Sequence, residues 1–186
     1  MNRVTFLMGV IERRLRRLID DERGMSAVEF ALLLPLMMTL YLGAVEVSQG
    51  IAADRKVTLT ARTIGDLVSQ VASIGNSDIA NVFNASSAVM APFPVVSLKV
   101  TVTSVKIDSA GKATVDWSDT LNGTARPKGS AVTLPTALNV ANTSLIWSEV
   151  QYTYKPVIGY VVSGTLTLKD QIFMRPRLSD SVTRGT

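Results

Sequence analysis

Apolar residues are distributed along this chain in three patterns, and each pattern predicts a different kind of structure. Residues 30–45, FALLLPLMMTLYLGAV, form one apolar run without a charge. Between residues 47 and 74, apolar side chains recur every three or four positions, which is typical of an amphipathic helix. From residue 95 onward, apolar and polar residues alternate over short stretches, which is typical of half-buried strands.

The continuous apolar run predicts a membrane-spanning helix. Extended back to Met25, with Glu29 as its single charge, it reaches about 20 residues, or about 30 Å of helix, which is enough to cross a bilayer. Six arginines precede it, and Glu46 begins the downstream flank. The positive-inside rule then places the N-terminus in the cytoplasm. We therefore expect a single-pass inner-membrane protein whose C-terminal domain is periplasmic.

The helical periodicity continues beyond the apolar run. It predicts one long helix over residues 25–74, which stops at Gly75 and Asn76. A short amphipathic helix follows, with Ser77 as its N-cap, and Pro92 helps to end it.

The alternating stretches predict four strands, at residues 95–103, 113–118, 144–155 and 165–174, with residues 108–111 as a hairpin connection. The expected fold class is α+β, in which a long N-terminal transmembrane helix extends into a periplasmic domain with a roughly four-stranded antiparallel sheet. The predicted division is a basic leader (1–24), a transmembrane helix (25–46), a helical extension with a short helix (47–91) and a β-sheet domain (92–186).

Composition narrows the possible functions. Hydrophobic residues make up 47% of the chain, and the mean hydropathy of +0.27 fits one spanning segment. The net charge is +4, but no basic stripe with interleaved aromatic residues appears, so we expect no nucleic-acid partner. The absence of cysteine excludes disulfides and thiolate metal sites, and the absence of histidine removes the commonest general base.

Four acids in the predicted sheet region are the only candidates for a catalytic pair: Asp116, Asp119, Glu149 and Asp170. They stand near no nucleophile or histidine motif, and solvated strand and loop charges explain them. No phosphate-binding loop, dinucleotide fingerprint or metal-ligand spacing is present. We therefore expect no enzyme activity, no cofactor, no metal and no small-molecule substrate.

The segment that calls for a chemical explanation is RGMSAVEF, residues 23–30. Gly24 ends the basic leader, and Glu29 with Phe30 follows at the head of the apolar run. A carboxylate in a lipid-spanning helix costs about 2–3 kcal/mol on insertion scales, so its presence needs a reason. A glycine before a scissile bond leaves a peptidase unobstructed and disfavours helix there.

This segment resembles the cleavage site of type IV prepilins, in the form used by pilins of the tight-adherence (Flp) pilus. With the order of elements that follows, the chain resembles the TadE-like family of minor pilins, or pseudopilins. The resemblance implies that a prepilin peptidase cuts between Gly24 and Met25. It also implies that Glu29 pairs with the Met25 amine of a neighbouring subunit and sets the assembly register. Phe30 is interpreted as an interfacial aromatic anchor.

The function predicted from this resemblance is that of a minor pilin in the assembly of a Tad/Flp type IV pilus for surface adherence. Its expected partners are the prepilin peptidase, other pilin subunits, inner-membrane assembly proteins and the lipid bilayer. The alternative is an uncleaved single-pass inner-membrane protein whose periplasmic domain binds a partner.

One apolar segment outside the helix, residues 157–162, has two interpretations. If exposed, it is a subunit contact or lies on the membrane. If buried, it caps the domain.

Overall fold

The computed structural model describes residues 22–159 and 163–185. The chain separates into two compact units, one that ends at Val45 and one that comprises Glu46–Thr186. Helix α1, Glu22–Ser69, contains the boundary between them. The predicted leader falls outside the described residues except at its last three positions, and so do residues 160–162 of the apolar segment. The predictions for those residues stay predictions.

The second unit has the predicted α+β fold, with one four-stranded antiparallel sheet in the order β3-β2-β4-β5. A two-stranded parallel pair, β1 with β6, was not predicted. The elements after α1 are β1 (Ser73–Ile74), α2 (Asn76–Met90), β2 (Leu98–Ile107), β3 (Ala113–Leu121), β4 (Thr143–Tyr154), β5 (Leu166–Met174) and β6 (Thr183–Arg184).

The main core lies between the helices and one face of the sheet, which we call the helix face. Helix α1 contributes small and β-branched side chains at heptad-like spacing, namely Ala53, Val57, Ala61, Ile64 and Val68. They pack on residues such as Val100, Val102 and Ile146, all fully buried. Val47, Ile51 and Leu59 also follow the apolar period, but each is about half exposed. The apolar period along the helix therefore includes more positions than the sheet buries.

Gly65 permits the close approach of α1 to the edge strand β5. A Cβ atom built on Gly65 would lie 3.2 Å from Ile172 Cγ2 and 3.3 Å from Met174 Sδ. These separations are tighter than ordinary van der Waals contact, so the absence of a side chain sets the distance between helix and sheet.

A β-bulge at Asp116 makes strand β3 change faces. Trp117 pairs with Ser104 and Val115 pairs with Val105, so Asp116 is the extra residue. Because Ser104 and Val105 are adjacent, Trp117 and Val115 point to opposite faces of the sheet. The alternation of apolar residues at positions 113, 115 and 117 therefore does not correspond to one face of the sheet.

The opposite face of the sheet, called the outer face, carries a second small core. Val105, Ile107, Ala113 and Leu145 are buried there. The connection between β3 and β4 covers them with Val132, Leu134 and Leu138. This cover explains why β2 is buried on both faces near its C-terminal end.

Three local boundaries differ from the sequence predictions. Helix α1 ends at Ser69 rather than Ile74, because Ile74 belongs to β1 and is buried against the core. The N-cap of α2 is Gly75, whose N–H donates to the Asp78 carboxylate at 2.9 Å, so Ser77 lies inside the helix. Strand β2 begins at Leu98, and Val96 lies 84% exposed in a 3₁₀ turn before it.

The C-terminal tail fastens the helices to the sheet. The Arg177 N–H donates to the Ser69 carbonyl at the end of α1 (2.8 Å), and the Trp117 indole donates to the Val182 carbonyl (2.7 Å). The Arg184 guanidinium contacts the Asp119 carboxylate (2.8 Å) and the Asn76 amide oxygen (2.6 Å). The tail therefore satisfies polar groups of three elements that come earlier in the chain.

Candidate functional site

The predicted site residues lie at the start of α1. Gly24, Met25, Glu29 and Phe30 are all helical and exposed. The bond between Gly24 and Met25 lies in the helix, close to its first described residue, Glu22. No atom outside the local helix lies within 4 Å of a Cβ built on Gly24, so this bond is not covered by other described residues.

Met25 and Glu29 share one face of the helix. They stand four positions apart, which places their Cβ atoms about 6 Å from each other. Side chains of an α-helix tilt toward its N-terminus, so the Glu29 carboxylate points back toward the Met25 end.

The helix around these residues is apolar on every side and uncovered. All residues from 24 to 38 are exposed, including Leu32 at 74% and Phe30 at 58%. A helix that is apolar all round needs a lipid or protein environment to cover it. Within the described residues, α1 is long and apolar enough to cross a membrane. It is therefore compatible with a single-pass membrane anchor.

Pro35 does not interrupt this helix. Its ring removes one backbone donor, so the Ala31 carbonyl loses its usual partner. One turn later, the Thr39 hydroxyl donates to the Pro35 carbonyl at 2.9 Å.

Three of the four candidate acids hold the domain together through ion pairs. Asp116 lies 2.9 Å from Lys106 Nζ and 3.7 Å from Lys128 Nζ. Asp119 binds Arg184, and Glu149 binds Arg126 through both carboxylate oxygens. They are thus scattered over separate structural contacts rather than paired with one another.

Two buried tyrosines form the polar part of the helix-face core at the ends of β2 and β4. Burial raises the pKa of Tyr154, and the nearby Glu46 carboxylate adds to the effect. Burial also raises the pKa of Tyr152, with a further contribution from Tyr154. The Tyr154 hydroxyl makes no hydrogen bond with the described residues.

An aromatic and ionic cluster on the outer face was not predicted from the sequence. The Arg126 guanidinium lies 3.9 Å from the centre of the Trp147 ring, and Trp147 stacks on Phe173 at 5.3 Å between centroids. The signal was present in the odd-numbered residues of β4, since Trp147 and Glu149 share one face. The position of Arg126, which comes from an irregular loop, had no comparable signal.

A polar groove of about 710 Å³ lies beside this cluster, between the outer face and the loop after β3. Its lining includes Lys99, Thr101, Arg126, Gln151 and Lys169. Across residues 22–159 and 163–185, no group of three or more acidic side chains is placed to hold a metal ion.

Comparison with known protein families gives a match that begins at Gly24. The family model described as TadE-like protein matches residues 24–65. This segment is TadE-like. The TadE-like segment contains all four predicted site residues, the apolar run and the part of α1 that packs on the sheet as far as Gly65. No curated protein and no solved structure matches the chain.

The match agrees with the resemblance that residues 23–30 suggested. The matched residues make up less than half of the chain, so the match describes this segment and not the domain that follows it. Neither the sheet nor the C-terminal tail takes part in the match.

Proposed function

We propose that this chain is a minor pilin that acts in assembly of a Tad/Flp type IV pilus. In this proposal the chain is inserted in the inner membrane with its N-terminus in the cytoplasm. A prepilin peptidase then cuts it between Gly24 and Met25. The observation that carries the proposal is the coincidence of the TadE-like match, which starts at Gly24, with an exposed glycine and a glutamate at the head of an uncovered apolar helix.

The proposed role of Glu29 follows from its environment. In lipid, an unpaired carboxylate costs about 2–3 kcal/mol on insertion scales, which an adjacent cation offsets. Cleavage creates such a cation, because Met25 acquires a free α-amino group. When subunits leave the lipid and their helices pack together, the pairing of Glu29 with the Met25 amine of a neighbour fixes their relative register. Phe30 then anchors the helix near the interface.

The domain of residues 46–186 makes this chain a minor or priming subunit in the proposal, rather than a major filament subunit built mainly from its helix. Its partners would be the prepilin peptidase, other pilin subunits and inner-membrane assembly proteins. Their contact surfaces are the apolar face of α1 and the exposed surface of the sheet domain.

The deciding measurement is the mature N-terminus of the protein isolated from its native membranes, by intact mass and N-terminal peptide analysis. We expect a chain that begins at Met25. Gly24→Ala is expected to block or slow the cut, whereas Gly43→Ala, on the same helix outside the motif, leaves it unchanged. A full-length chain in cells with an active prepilin peptidase would instead support an uncleaved membrane protein with a partner-binding domain.

A further inference from the structure

The polar groove on the outer face has the size of a ligand site. Its volume of about 710 Å³ lies within the range of roughly 300–1,000 Å³ that is usual for such sites. Strands β2, β4 and β5 form its floor, and the loop between β3 and β4 forms its wall through Gly123, Thr124 and Arg126. Every residue that lines it belongs to the unit of residues 46–186.

Hydrogen bonds hold the wall of the groove in place at three points. The Asn122 amide donates to a backbone carbonyl at the start of β2 at 2.9 Å, and the Gly129 N–H donates to the Val115 carbonyl at 2.7 Å. Between these points, Arg126 holds Glu149 through both carboxylate oxygens. The shape of the groove therefore exists before a ligand arrives, and such preorganisation lowers the cost of binding.

Two lysines stand in one row on the floor of the groove. Lys99 pairs with Gln151, and Gln151 pairs with Lys169, so the three side chains share a face across β2, β4 and β5. Two strand spacings separate the lysines, or about 10 Å. Both lysines are exposed, and among the described residues neither forms an ion pair. The row therefore offers two ammonium groups on either side of a neutral amide.

The two carboxylates that line the groove already accept hydrogen bonds. Glu149 accepts from Arg126, and the Asp170 carboxylate accepts from the Gln171 N–H at 2.8 Å. With the two lysines, the lining carries three cations against these two anions. Within the part of the chain that the structure describes, the cations that lack an ionic partner are the lysines. Charge complementarity therefore favours an anionic ligand.

Hydroxyl and amide groups make up most of the remaining lining. They belong to Thr101, Thr124, Gln151 and Gln171. The branched apolar residue of the lining, Val150, is buried in the core of the helix face. Hydroxyls and carboxamides can both donate and accept hydrogen bonds, which suits a ligand that carries many hydroxyl groups of its own.

The most exposed apolar side chains of the domain lie outside the groove. Val96 and Val157 are 84% and 85% exposed, Ile158 is 47% exposed, and none of them lines the groove. The capping interpretation of residues 157–162 therefore does not apply to Val157 and Ile158. A ligand that inserts acyl chains or apolar side chains finds no apolar wall in the groove.

The aromatic ring beside the groove is already covered. Arg126 lies against Trp147 from the side of β2, where it also donates to the Thr103 hydroxyl at 3.3 Å, and Phe173 stacks from the side of β5. The ring is therefore not a free platform for nucleic-acid bases. Peptide-binding sites use a sheet edge, an apolar groove or exposed aromatic residues, whereas this groove lies on the face of the sheet and no aromatic residue lines it.

We propose that the polar groove binds an acidic oligosaccharide. Lys99 and Lys169 contact its carboxylates. The Gln151 amide and the hydroxyls of Thr101 and Thr124 bond to its hydroxyl groups. The inference goes beyond the proposed function and depends on the sheet domain alone, so it holds whether the chain is a minor pilin or an uncleaved membrane protein.

The test measures binding of the full chain in detergent to polygalacturonate by biolayer interferometry. Dextran is the neutral probe, because it has sugar hydroxyls without carboxylates, and polyglutamate is the peptide probe, because it has carboxylates without sugars. Lys169→Gln removes one cation of the groove, and Gln151→Ala removes the amide without changing the charge.

The matched control is Lys112→Gln. Lys112 is also exposed and forms no ion pair with the described residues. It lies in the hairpin after β2, about 27 Å of strand away from Lys99. It therefore reports on general attraction between the basic chain and an anionic polymer.

We expect polygalacturonate to bind more tightly than dextran or polyglutamate. Lys169→Gln and Gln151→Ala should each weaken its binding several-fold, and Lys112→Gln should leave it unchanged. Equal binding of polyglutamate, or an equal loss in Lys112→Gln, would show that charge alone is recognised and would overturn the inference. Equal binding of dextran, or no binding of polygalacturonate, would also overturn it. None of these outcomes bears on the mature N-terminus, which tests the proposed function separately.

Discussion

At the residue scale, the proposed cleavage and the proposed assembly register depend on different side chains, and Glu29 belongs to the second. It is exposed on an apolar helix and faces the end at which cleavage would create an amine. In the proposed function, recognition by a peptidase needs the bond at Gly24 to be accessible, whereas the assembly register needs the charge of Glu29. The two requirements fall on different side chains, so substitutions can distinguish them.

We expect Glu29→Gln to be cleaved normally and to assemble poorly. The amide has almost the same shape and lowers the cost of insertion, but it cannot pair with an ammonium group. Loss of about 1.4 kcal/mol of pairing would reduce subunit association about tenfold. Piliation counted by electron microscopy, beside N-terminal mass, measures both effects. Asp54→Asn, which removes a carboxylate further along α1, is the control, and normal piliation in Glu29→Gln would contradict the register role.

Tyr154 gives the folded domain a dependence on alkaline pH. Burial, followed by the Glu46 carboxylate, raises its pKa above the ordinary 10.0, and burial does the same for Tyr152. The unfolded chain therefore loses these protons at lower pH than the folded chain. The stabilisation is complete below about pH 10 and is lost as the pH rises through the folded-state pKa values.

We expect Tyr154→Phe to reduce the slope with which the free energy of unfolding falls at alkaline pH. Each such tyrosine adds at most about 1.4 kcal/mol per pH unit to the slope, and the variant removes one of the two. At neutral pH the free energy of unfolding should change by less than about 1 kcal/mol, because the hydroxyl has no hydrogen bond to lose. Denaturant titrations of the full chain in detergent at several pH values measure both. Tyr41→Phe, exposed on the apolar run, is the control, and an unchanged slope in Tyr154→Phe would contradict the prediction.

At the element scale, two glycines of α1 play opposite roles. Gly65 lets the helix approach Ile172 and Met174, whereas a side chain at Gly50 would meet Tyr154 only at ordinary contact distance. In isolation each glycine weakens a helix by about 1 kcal/mol relative to alanine. Packing against β5 therefore requires a glycine at position 65, whereas it does not require one at position 50.

We expect Gly65→Val to lower the free energy of unfolding by about 1–3 kcal/mol, because the added methyl groups push β5 away from the helix. Gly50→Ala should raise it by about 0.5–1 kcal/mol through helix propensity alone. Both are measured by denaturant unfolding of the full chain in detergent. A Gly65→Val variant as stable as the parent would show that β5 moves freely and that Gly65 does not set the spacing.

The sequence indicated the elements but not the contacts that lock them together. Apolar side chains that recur every three or four residues, or every second residue, mark the positions that become buried. These patterns predicted α1 and all four strands of the sheet. The bulge at Asp116 could not be predicted from these patterns. An inserted residue moves the Trp117 side chain to the other face of the sheet without changing the residue types around it. The tail was equally hidden, since Arg177 and Arg184 act through hydrogen bonds to backbone and side-chain groups that lie far away in the sequence.

The candidate site was more accessible to sequence reasoning than the sheet surfaces. Gly24 and Glu29 stand out because a charge and a flexible residue beside an apolar run are energetically unusual within a few positions. The outer-face cluster joins Arg126, Trp147 and Phe173 from three separate segments. Only the strand register brings Trp147 and Phe173 together, and register is a property of the folded sheet.

At the scale of the whole molecule, the two units differ in how their apolar side chains are removed from water. The unit that ends at Val45 exposes most of its described apolar side chains, which need lipid or partner helices to cover them. The unit of residues 46–186 encloses both hydrophobic cores, from Ala53 to Val182. Its stability therefore does not require the apolar run.

We expect residues 46–186 alone to fold cooperatively. The buried Trp117 indole should give blue-shifted emission and a structured near-ultraviolet circular dichroism signal, both lost in one sigmoidal transition. Residues 65–186 are the matched control, since they lack Ala53, Val57 and Ala61. Burial of Val57 alone contributes about 1.5–3 kcal/mol, a large part of the 5–15 kcal/mol that keeps an ordinary domain folded. A non-cooperative 46–186 fragment would mean that the domain needs its membrane helix to fold.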